Sequence, residues 1–527
     1  MDSSRLTEIK RNQFINAFVK INPSMNHFKT ELEVIYKNLG GRPVIFEGRL
    51  VGNQPYEVDS TAETQEEMVQ DLIMDALGDL FTFMAASNSG PTICARSMYL
   101  FFFSITASYN GIVGGKSGSH DNWNWSKAYS LSSDTLYSWI QQTLAFCLPN
   151  IIPGWTNHIT TFSSAFGVFS ADWTTWYGIR SVDNGQVGGS ARTAPTYLVL
   201  NHDTTTNAIT YLETTTSQDF TDTTQYQDPA KWTPLSINNV KKNYLTYGWG
   251  TVISPSLQAA DETSIKAVVA AYYPLNRSAE ITSLLSLTES LTDTQKVIAE
   301  FWAGGPNTIT PPGMCMWFWK EYILSQGMSD LNTLFFSGLD LSIGIFEASR
   351  LCWNIKGANL QARPIQEIRR TALGTTVTKY DGTTINRNVW VPFQPTSIVT
   401  PPFADFPSGH STFSQIFADI MTEWFGATIN VAPAPFFQTS LLSPIITTSQ
   451  RGNNFGTFTI SSGSSEIQAG VVPASPVTLT FATWQEIADQ AGLSRQYGGI
   501  HAASAHSGGQ ALANAIRPIQ KTNWLLR

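Results

Sequence analysis

The chain has 527 residues, a formal net charge of −8, 42% hydrophobic residues and 14% charged residues. This composition excludes a disordered polyelectrolyte and supplies enough apolar residues for large buried cores. The acidic balance argues against nucleic acid and against anionic lipid surfaces as main partners, because both require a basic protein surface.

The N-terminal sequence "MDSSRLTEIKRNQF" contains no apolar segment of the kind found in secretory signals. The most apolar stretch, from Tyr99 to Gly115, is too short and too polar to span a bilayer unaided. We therefore expect a soluble protein without a membrane span, and a cytoplasmic location is favoured. The four cysteines form no Cys-x-x-Cys pair, so we expect buried thiols rather than a zinc ribbon or a thioredoxin motif.

We interpret residues 1–187 as an N-terminal helical half. Apolar residues between Ser60 and Val113 recur at intervals of three and four, and a further helix is predicted from Ser130 to Leu148. Residues 188–254 differ, because "TYLVLNHDTTTNAITYLE" alternates apolar and polar residues around a polar centre, which predicts a β-hairpin. We interpret this region as a small β insertion, and a domain boundary is the alternative.

Helical spacing returns in residues 255–527, the predicted C-terminal helical half, which carries the candidate site described below. The candidate helices cover Thr263 to Tyr273, Leu291 to Ala303, Met314 to Ser325, Leu331 to Ile355, Ser408 to Phe425, Thr483 to Leu493 and His506 to Arg517. The Ser-, Thr- and Gly-rich segment 436–480 is predicted to be a long excursion of loops. The predicted fold class is mainly α, with two halves that resemble four-helix bundles and a small β-hairpin insertion.

Two cations stand out in "KGANLQARP", where Lys356 and Arg363 lie seven residues apart and Pro364 follows. If this segment is helical, the two side chains are two turns apart and share nearly the same face. Pro364 would then bend or end the helix beyond them. Such a pair suits an anion, since arginine offers a fork of donors and lysine a mobile point charge.

A second stretch, "PSGHSTFSQIFADIMTEWFG", predicts a capped and buried helix. Ser408 fits the N-cap position, and an apolar stripe follows from Phe413 to Phe425. His410 therefore lies in the first turn, where free backbone N–H groups and the positive end of the helix dipole can bind an anion. A capped helix with an incidental histidine explains this stretch equally well when it is taken alone.

A third stretch, "LSRQYGGIH", places Arg495 after a helix predicted to end near Gly492, and a glycine turn before His501. The three stretches together supply three cations, two neutral donors and two imidazoles, from Lys356, Arg363, Arg495, Ser408, Gly409, His410 and His501. This set suits one tetrahedral oxyanion. An anion met by three cations can stay ionised away from water, whereas an unpaired anion cannot.

The three stretches resemble the three-part motif of the type 2 phosphatidic-acid phosphatase superfamily. The matching parts are Lys-x6-Arg-Pro, Pro-Ser-Gly-His and Ser-Arg-x5-His, at Lys356 to Pro364, Pro407 to His410 and Ser494 to His501. All three are complete and stand in the family order with the family spacing. The superfamily includes vanadium-dependent haloperoxidases and bacterial acid phosphatases.

The resemblance to the haloperoxidases implies a vanadate cofactor with His501 as the protein ligand of vanadium. It implies that the oxygens of vanadate are hydrogen-bonded by Lys356, Arg363, Ser408, Gly409 and Arg495. His410 would act as acid and base toward hydrogen peroxide, and Lys356 would polarise it, so that His410, Lys356 and His501 are the implied catalytic residues. The halide would be oxidised to hypohalous acid, which halogenates a small organic acceptor.

A soluble acid phosphatase is the alternative, in which His501 would attack phosphorus and His410 would protonate the leaving oxygen. A non-catalytic oxyanion-binding protein is a third reading. The haloperoxidase branch is favoured because the lipid phosphatases span membranes and the soluble phosphatases are about half this length or less. Trp353 and "EFWAGGPNTITPPG" also resemble that branch. Relatives include large symmetric assemblies, and the apolar composition permits a homo-oligomer.

Phe403 and Trp353 form the expected halide pocket. Phenylalanine seven residues before His410 resembles chloroperoxidases, whereas many bromoperoxidases have a histidine there. Relatives often carry an aspartate in the segment that matches "FWAGGP", but Gly304 and Gly305 stand here instead. We therefore expect His410 to lack that carboxylate and to have a lower pKa. Bromide is the expected substrate, and the sequence leaves chloride open.

Overall fold

The computed structural model describes residues 64–87, 90–152, 155, 159, 161–187, 209–210, 230–232, 235–237, 240–241, 244–370, 375–429 and 456–524. These residues form a mainly helical fold with short strands, which confirms the predicted fold class. The first helices are α1 Gln65–Ala86, α2 Gly90–Val113, α3 Leu136–Ile151 and α4 Phe166–Val187. The later ones are α5 Ala259–Ala270, α6 Arg277–Glu289, α7 Asp293–Phe301, α8 Thr310–Ser325, α9 Leu331–Asn359, α10 Pro364–Arg370, α11 Gly409–Phe425, α12 Trp484–Tyr497 and α13 Ala503–Trp524.

The described strands form short ladders. Antiparallel pairs join β1 Ser119–His120 to β2 Trp123–Asn124, β6 Thr376–Thr378 to β7 Thr384–Asn386, and β8 Thr457–Ile460 to β9 Val477–Thr480. In the predicted insertion, β3 Ile209–Thr210 pairs in parallel with β4 Leu235–Ile237, which pairs antiparallel with β5 Val240–Lys241. The rest of the predicted hairpin lies outside the described residues. The β8–β9 pair corrects the loop-only prediction for residues 436–480, of which 436–455 also lie outside them.

Helix α9 is the central element of the described fold, since it packs against α2, α11 and α13. Two glycines permit this close packing. A Cβ atom on Gly338 would lie 2.2 Å from Phe102 of α2, and one on Gly344 would lie 2.5 Å from Ile420 of α11. One continuous hydrophobic cluster includes side chains from α1 to α13. This cluster includes residues from both sides of positions 187 and 254. The domain boundaries expected at these positions stay a prediction.

Three helices, α4, α6 and α10, were not expected from the sequence. Helices α4 and α6 nevertheless carry buried apolar residues at helical spacing, so the periodicity is present in the sequence at both places. These residues are Phe166, Phe169, Trp173 and Trp176 in α4, and Ile281, Leu284 and Leu285 in α6. The cysteines behave as expected, because Cys94, Cys147, Cys315 and Cys352 are all buried and free. Within the described ranges, no helix has the length and apolarity needed to cross a membrane.

A buried ion pair fastens the last helix to α9. The guanidinium of Arg517 donates to both carboxylate oxygens of Asp340, at 2.7 and 2.8 Å. Asp340 also accepts from the Trp424 indole at 2.9 Å and from the Gln520 amide at 3.1 Å. Because this carboxylate is almost fully buried, its charge depends on these four donors.

We expect Arg517→Met to destabilise the fold by about 3–5 kcal/mol, since it leaves Asp340 buried without its cation. The matched control is Lys521→Met, which removes a half-exposed partner of Glu423 and should cost at most about 1 kcal/mol. Urea-induced unfolding followed by circular dichroism compares the two variants. Equal midpoints for both would contradict the role given to the Asp340–Arg517 pair.

Candidate functional site

The first motif lies where α9 ends. Lys356 is in the last turn of α9, where the negative end of the helix dipole favours a cation. The helix stops because Leu360 adopts the left-handed conformation, with φ 48°. Arg363 therefore lies beyond α9, directly before Pro364 opens α10. The assumption of one continuous helix from Lys356 to Arg363 is wrong, and Pro364 begins a helix instead of ending one.

The second motif forms the start of α11 as predicted. The buried Ser408 is the N-cap, and its hydroxyl accepts from the amide of Ser411 at 3.4 Å. Gly409 is the first helical residue, and a Cβ atom there would lie 3.7 Å from the Trp353 indole. His410 lies in the first turn, at the positive end of the helix dipole.

The third motif closes the site from α12. This helix runs to Tyr497, so Arg495 lies in its last turn and does not follow the helix, which corrects the predicted end near Gly492. Arg495 donates to the Ala299 carbonyl at 3.2 Å. Gly499 then adopts a positive φ of 68° and turns the chain toward His501.

The structure brings these distant segments together. Arg363 Nη1 lies 2.9 Å from the Ile500 carbonyl oxygen and 3.2 Å from Nε2 of His501. Lys356, Arg363 and Arg495 are at most 1% exposed. They are close enough that the charge of Arg363 lowers the pKa of Lys356, of Arg495 and of His501. The charge of Arg495 in turn lowers the pKa of His410.

The loop before α11 contributes contacts that the motifs did not reveal. Lys356 Nζ donates to the carbonyls of Ala404 and Asp405 at 2.7 and 2.9 Å, and Arg363 Nε donates to the Phe403 carbonyl at 2.6 Å. The carboxylate of Asp405 lies 2.5 Å from Nδ1 of His501. One sequence signal points to Asp405, since it is the only acidic residue between Asp381 and Asp419.

The predicted β insertion holds two site segments in place. The amide of Trp232 donates to the Leu360 carbonyl at 2.7 Å, and the amide of Leu245 donates to the Pro402 carbonyl at 2.9 Å. The Trp353 indole donates to the Leu245 carbonyl at 3.0 Å, and the hydroxyl of the partly buried Tyr244 accepts from the Ala404 amide at 3.4 Å. Trp232, Tyr244 and Leu245 thus brace the site, a role that no sequence pattern indicated.

The two expected halide-pocket residues are in contact. The rings of Trp353 and Phe403 lie 4.8 Å apart. The Phe403 ring is also 5.2 Å from Lys356 Nζ and 4.9 Å from the guanidinium carbon of Arg363. Phe403 therefore forms an aromatic wall beside two cations, and cation–π attraction holds it there.

His410 has a backbone partner. Its Nε2 lies 2.8 Å from the Trp302 carbonyl oxygen, and the described residues give it no carboxylate partner. Burial and the charge of Arg495 lower the pKa of His410 well below its ordinary value, in the expected direction. Gly304 has a φ of 52°, and a Cβ atom there would lie 2.9 Å from Pro311, so this turn requires glycine.

The electrostatics of the site call for an anion. Burial lowers the pKa of Lys356 to about 7, of Arg363 to about 10 and of Arg495 to about 9. Burial and the nearby Arg363 lower the pKa of His501 to about 3, so its imidazole is neutral at ordinary pH. Asp405 differs from these groups, because it stays charged although it is buried. Burial raises the pKa of its carboxyl, but Arg277 and His501 outweigh burial and hold this pKa well below the usual range.

Two buried donors of the cations are left without an acceptor. Arg363 Nη2 and Arg495 Nε have no hydrogen-bond partner among the described residues. A buried charged donor without an acceptor costs about 1–3 kcal/mol or more. An oxyanion would satisfy both donors and offset the positive charge. The residues present therefore fit vanadate, and they fit phosphate for the same reason.

Comparisons with known proteins agree with this geometry. Residues 337–520 match a family model described as "VCPO second helical-bundle domain", and no curated protein matches the chain. A holo-type bacterial vanadium-dependent chloroperoxidase is similar, with a TM-score of 0.56 and 12% identity over 82% of this chain and 93% of that chain. A bacterial vanadium-dependent iodoperoxidase has a TM-score of 0.55 and 16% identity over 86% of this chain and 96% of that one.

The apo-type bacterial chloroperoxidase gives a similar result, with a TM-score of 0.54 and 13% identity over 83% of this chain and 94% of that chain. Similarity at these identities shows a shared fold, while the matched family model covers the residues that carry all three motifs. Residues 337–520 thus match the model of the VCPO second helical-bundle domain, and the chain has a fold similar to that of vanadium-dependent haloperoxidases, which confirms the resemblance predicted from its sequence.

Proposed function

We propose that this protein is a vanadium-dependent haloperoxidase, which uses hydrogen peroxide to oxidise a halide to hypohalous acid. One observation carries the proposal: three buried cations from the first and third motifs lie near His410 and His501 and leave two donors without acceptors. The similarity to chloroperoxidase and iodoperoxidase structures supports vanadate over phosphate as the resident anion. Hydrogen peroxide, a halide and a small organic acceptor are the proposed reactants.

His501 would be the protein ligand of vanadium through Nε2, the ring nitrogen that faces Arg363. The oxygens would be held by donors from all three motifs, namely Lys356, Arg363, Ser408, Gly409 and Arg495. Bound vanadate would supply a Lewis-acidic V(V) centre that activates hydrogen peroxide toward attack by halide. The burial of these donors keeps water away from the anion and strengthens each contact.

His410 is the proposed acid and base. A carbonyl oxygen only accepts hydrogen bonds, so Nε2 of His410 carries a proton and donates it to Trp302. Nδ1 then keeps its lone pair, which could take a proton from hydrogen peroxide and return it to a leaving oxygen. The lowered pKa of His410 keeps this nitrogen unprotonated at neutral pH. Lys356 would polarise the peroxide as a point charge.

Phe403 and Trp353 are the proposed halide pocket, because their rings form the apolar wall beside Lys356 and Arg363. A halide that loses water against this wall would meet the field of two cations. Bromide is the proposed substrate, and the aromatic wall is compatible with chloride. A homo-oligomer is proposed from the resemblance alone.

Bromination of monochlorodimedone tests the proposal directly. The protein freed of vanadate should show no peroxide-dependent bromination and should recover it on addition of orthovanadate. His501→Ala should abolish orthovanadate binding and activity. The control Lys379→Met, which removes a partner of Asp381, should keep both. Hydrolysis of p-nitrophenyl phosphate without vanadate, inhibited by vanadate and without any bromination, would instead establish the acid phosphatase.

The pH dependence of anion binding should report Lys356. Its pKa of about 7 without an anion means that binding above pH 7 must take up a proton, because a bound anion favours the ammonium form. Orthovanadate affinity, measured by titration calorimetry, should therefore fall as the pH rises from 7 to 9. For each pH unit, the wild type should lose up to about tenfold more affinity than Lys356→Met loses. Comparison at each pH cancels the titration of the ligand itself.

The variant at residue 356 carries no titrating amine, so it should bind more weakly at pH 7 but with a shallower pH dependence. Parallel pH profiles for the two proteins would show that Lys356 does not titrate on binding and would contradict its placement beside the anion.

A further inference from the structure

His501 has a different partner at each ring nitrogen, and both partners are buried residues. Nδ1 lies 2.5 Å from Oδ1 of Asp405, and Nε2 lies 3.2 Å from Nη1 of Arg363. Asp405 and Arg363 are completely buried, and the His501 side chain is 3% exposed. Water therefore has little access to either contact.

The chemistry of the two partners assigns the proton. An ionised carboxylate only accepts, so Nδ1 of His501 must donate to Asp405. A guanidinium only donates, so Nε2 must accept from Arg363. Both contacts demand the same tautomer, with the proton on Nδ1 and the lone pair on Nε2. A histidine that binds a metal commonly has its other ring nitrogen fixed by a carboxylate in this way.

A second arginine keeps Asp405 ionised and oriented. Arg277 Nη2, from the start of α6, lies 2.5 Å from Oδ2 of Asp405, the oxygen that does not meet His501. Arg277 is itself fixed, because it donates to Glu367 at 2.8 Å and to the Ala362 carbonyl at 3.1 Å. A chain of hydrogen bonds thus runs from Glu367 of α10 through Arg277 and Asp405 to His501.

The same arrangement is tied to the segment after His501. Glu280, one turn after Arg277 in α6, accepts from the amide and the hydroxyl of Ser504, at 2.9 and 2.8 Å. Helix α6 therefore holds both the carboxylate that meets His501 and the start of α13. No sequence motif included Asp405, Arg277 or Glu280.

We propose that Asp405, oriented by Arg277, is the positioning residue that fixes the Nδ1-protonated tautomer of His501. This tautomer keeps a lone pair on Nε2, which faces Arg363 in the protein without an anion and would bond to the central atom of an oxyanion when one is bound. The identity of that ligand rests on the function proposed above. The tautomer does not, because it follows from contacts in the protein without any anion.

The tautomer is measurable on the full chain without vanadate, by ¹⁵N NMR of histidine-labelled protein, with His501→Gln to assign the resonance. We expect a protonated Nδ1 and an unprotonated Nε2 in the wild type. In Asp405→Asn the neutral amide can also donate, so the Nε2-protonated tautomer should become populated. A wild-type protein with its proton on Nε2 would overturn the proposal, whether or not any variant folds.

Orthovanadate binding provides the second readout. Asp405→Asn should weaken orthovanadate affinity about 10–100-fold in titration calorimetry. The matched control is Glu423→Gln, which also removes a carboxylate partner of a buried arginine but lies away from His501. It should bind orthovanadate within about twofold of the wild type. Unchanged affinity and an unchanged His501 spectrum in Asp405→Asn would overturn the proposal.

The two proposals fail in distinguishable ways. If the wild type does not bind orthovanadate, the proposed function is wrong. The tautomer of His501 in the protein without an anion still tests the role of Asp405. If the wild type brominates and Asp405→Asn matches it in bromination, orthovanadate affinity and His501 spectrum, only the inference about Asp405 is wrong.

Discussion

The site depends on the cost of burying positive charge. Lys356, Arg363 and Arg495 lie in the interior, and Asp405 is the carboxylate among the residues that contact His501. Backbone carbonyls accept hydrogen bonds from these cations in place of water. They belong to Phe403, Ala404, Asp405, Ile500 and Ala299. These carbonyls solvate the cations without neutralising them. The proposed oxyanion would supply the missing charge, which would explain why so many donors can remain buried.

The helical fold brings these groups together because the ends of several helices lie at the same site. Lys356 and Arg495 occupy last turns, where the dipole favours cations, and His410 occupies a first turn, where it favours anions. Two sharp backbone features set the directions, the left-handed Leu360 after α9 and the positive φ of Gly499 after α12. The packing of α9 against α2 and α11 holds this arrangement rigid.

Motif spacing predicted much of the site, and periodicity predicted most of the helices. The N-cap at Ser408, the first-turn position of His410 and the convergence of the cations follow from residue type and order. The break at Leu360 could not be predicted, because leucine gives no local signal for a left-handed conformation. Asp405 and Arg277 escaped notice because an aspartate in a loop and an arginine 128 residues away gain meaning only when the fold pairs them.

The three motifs are proposed to hold a single oxyanion. Diffraction at the vanadium absorption edge, from crystals soaked in orthovanadate, tests this proposal most directly. We expect one anomalous peak within bonding distance of Nε2 of His501, and we expect the oxygens of the vanadate to contact Lys356, Arg363 and Arg495. A peak elsewhere, or an anion that touches only one of the three motifs, would contradict the proposal.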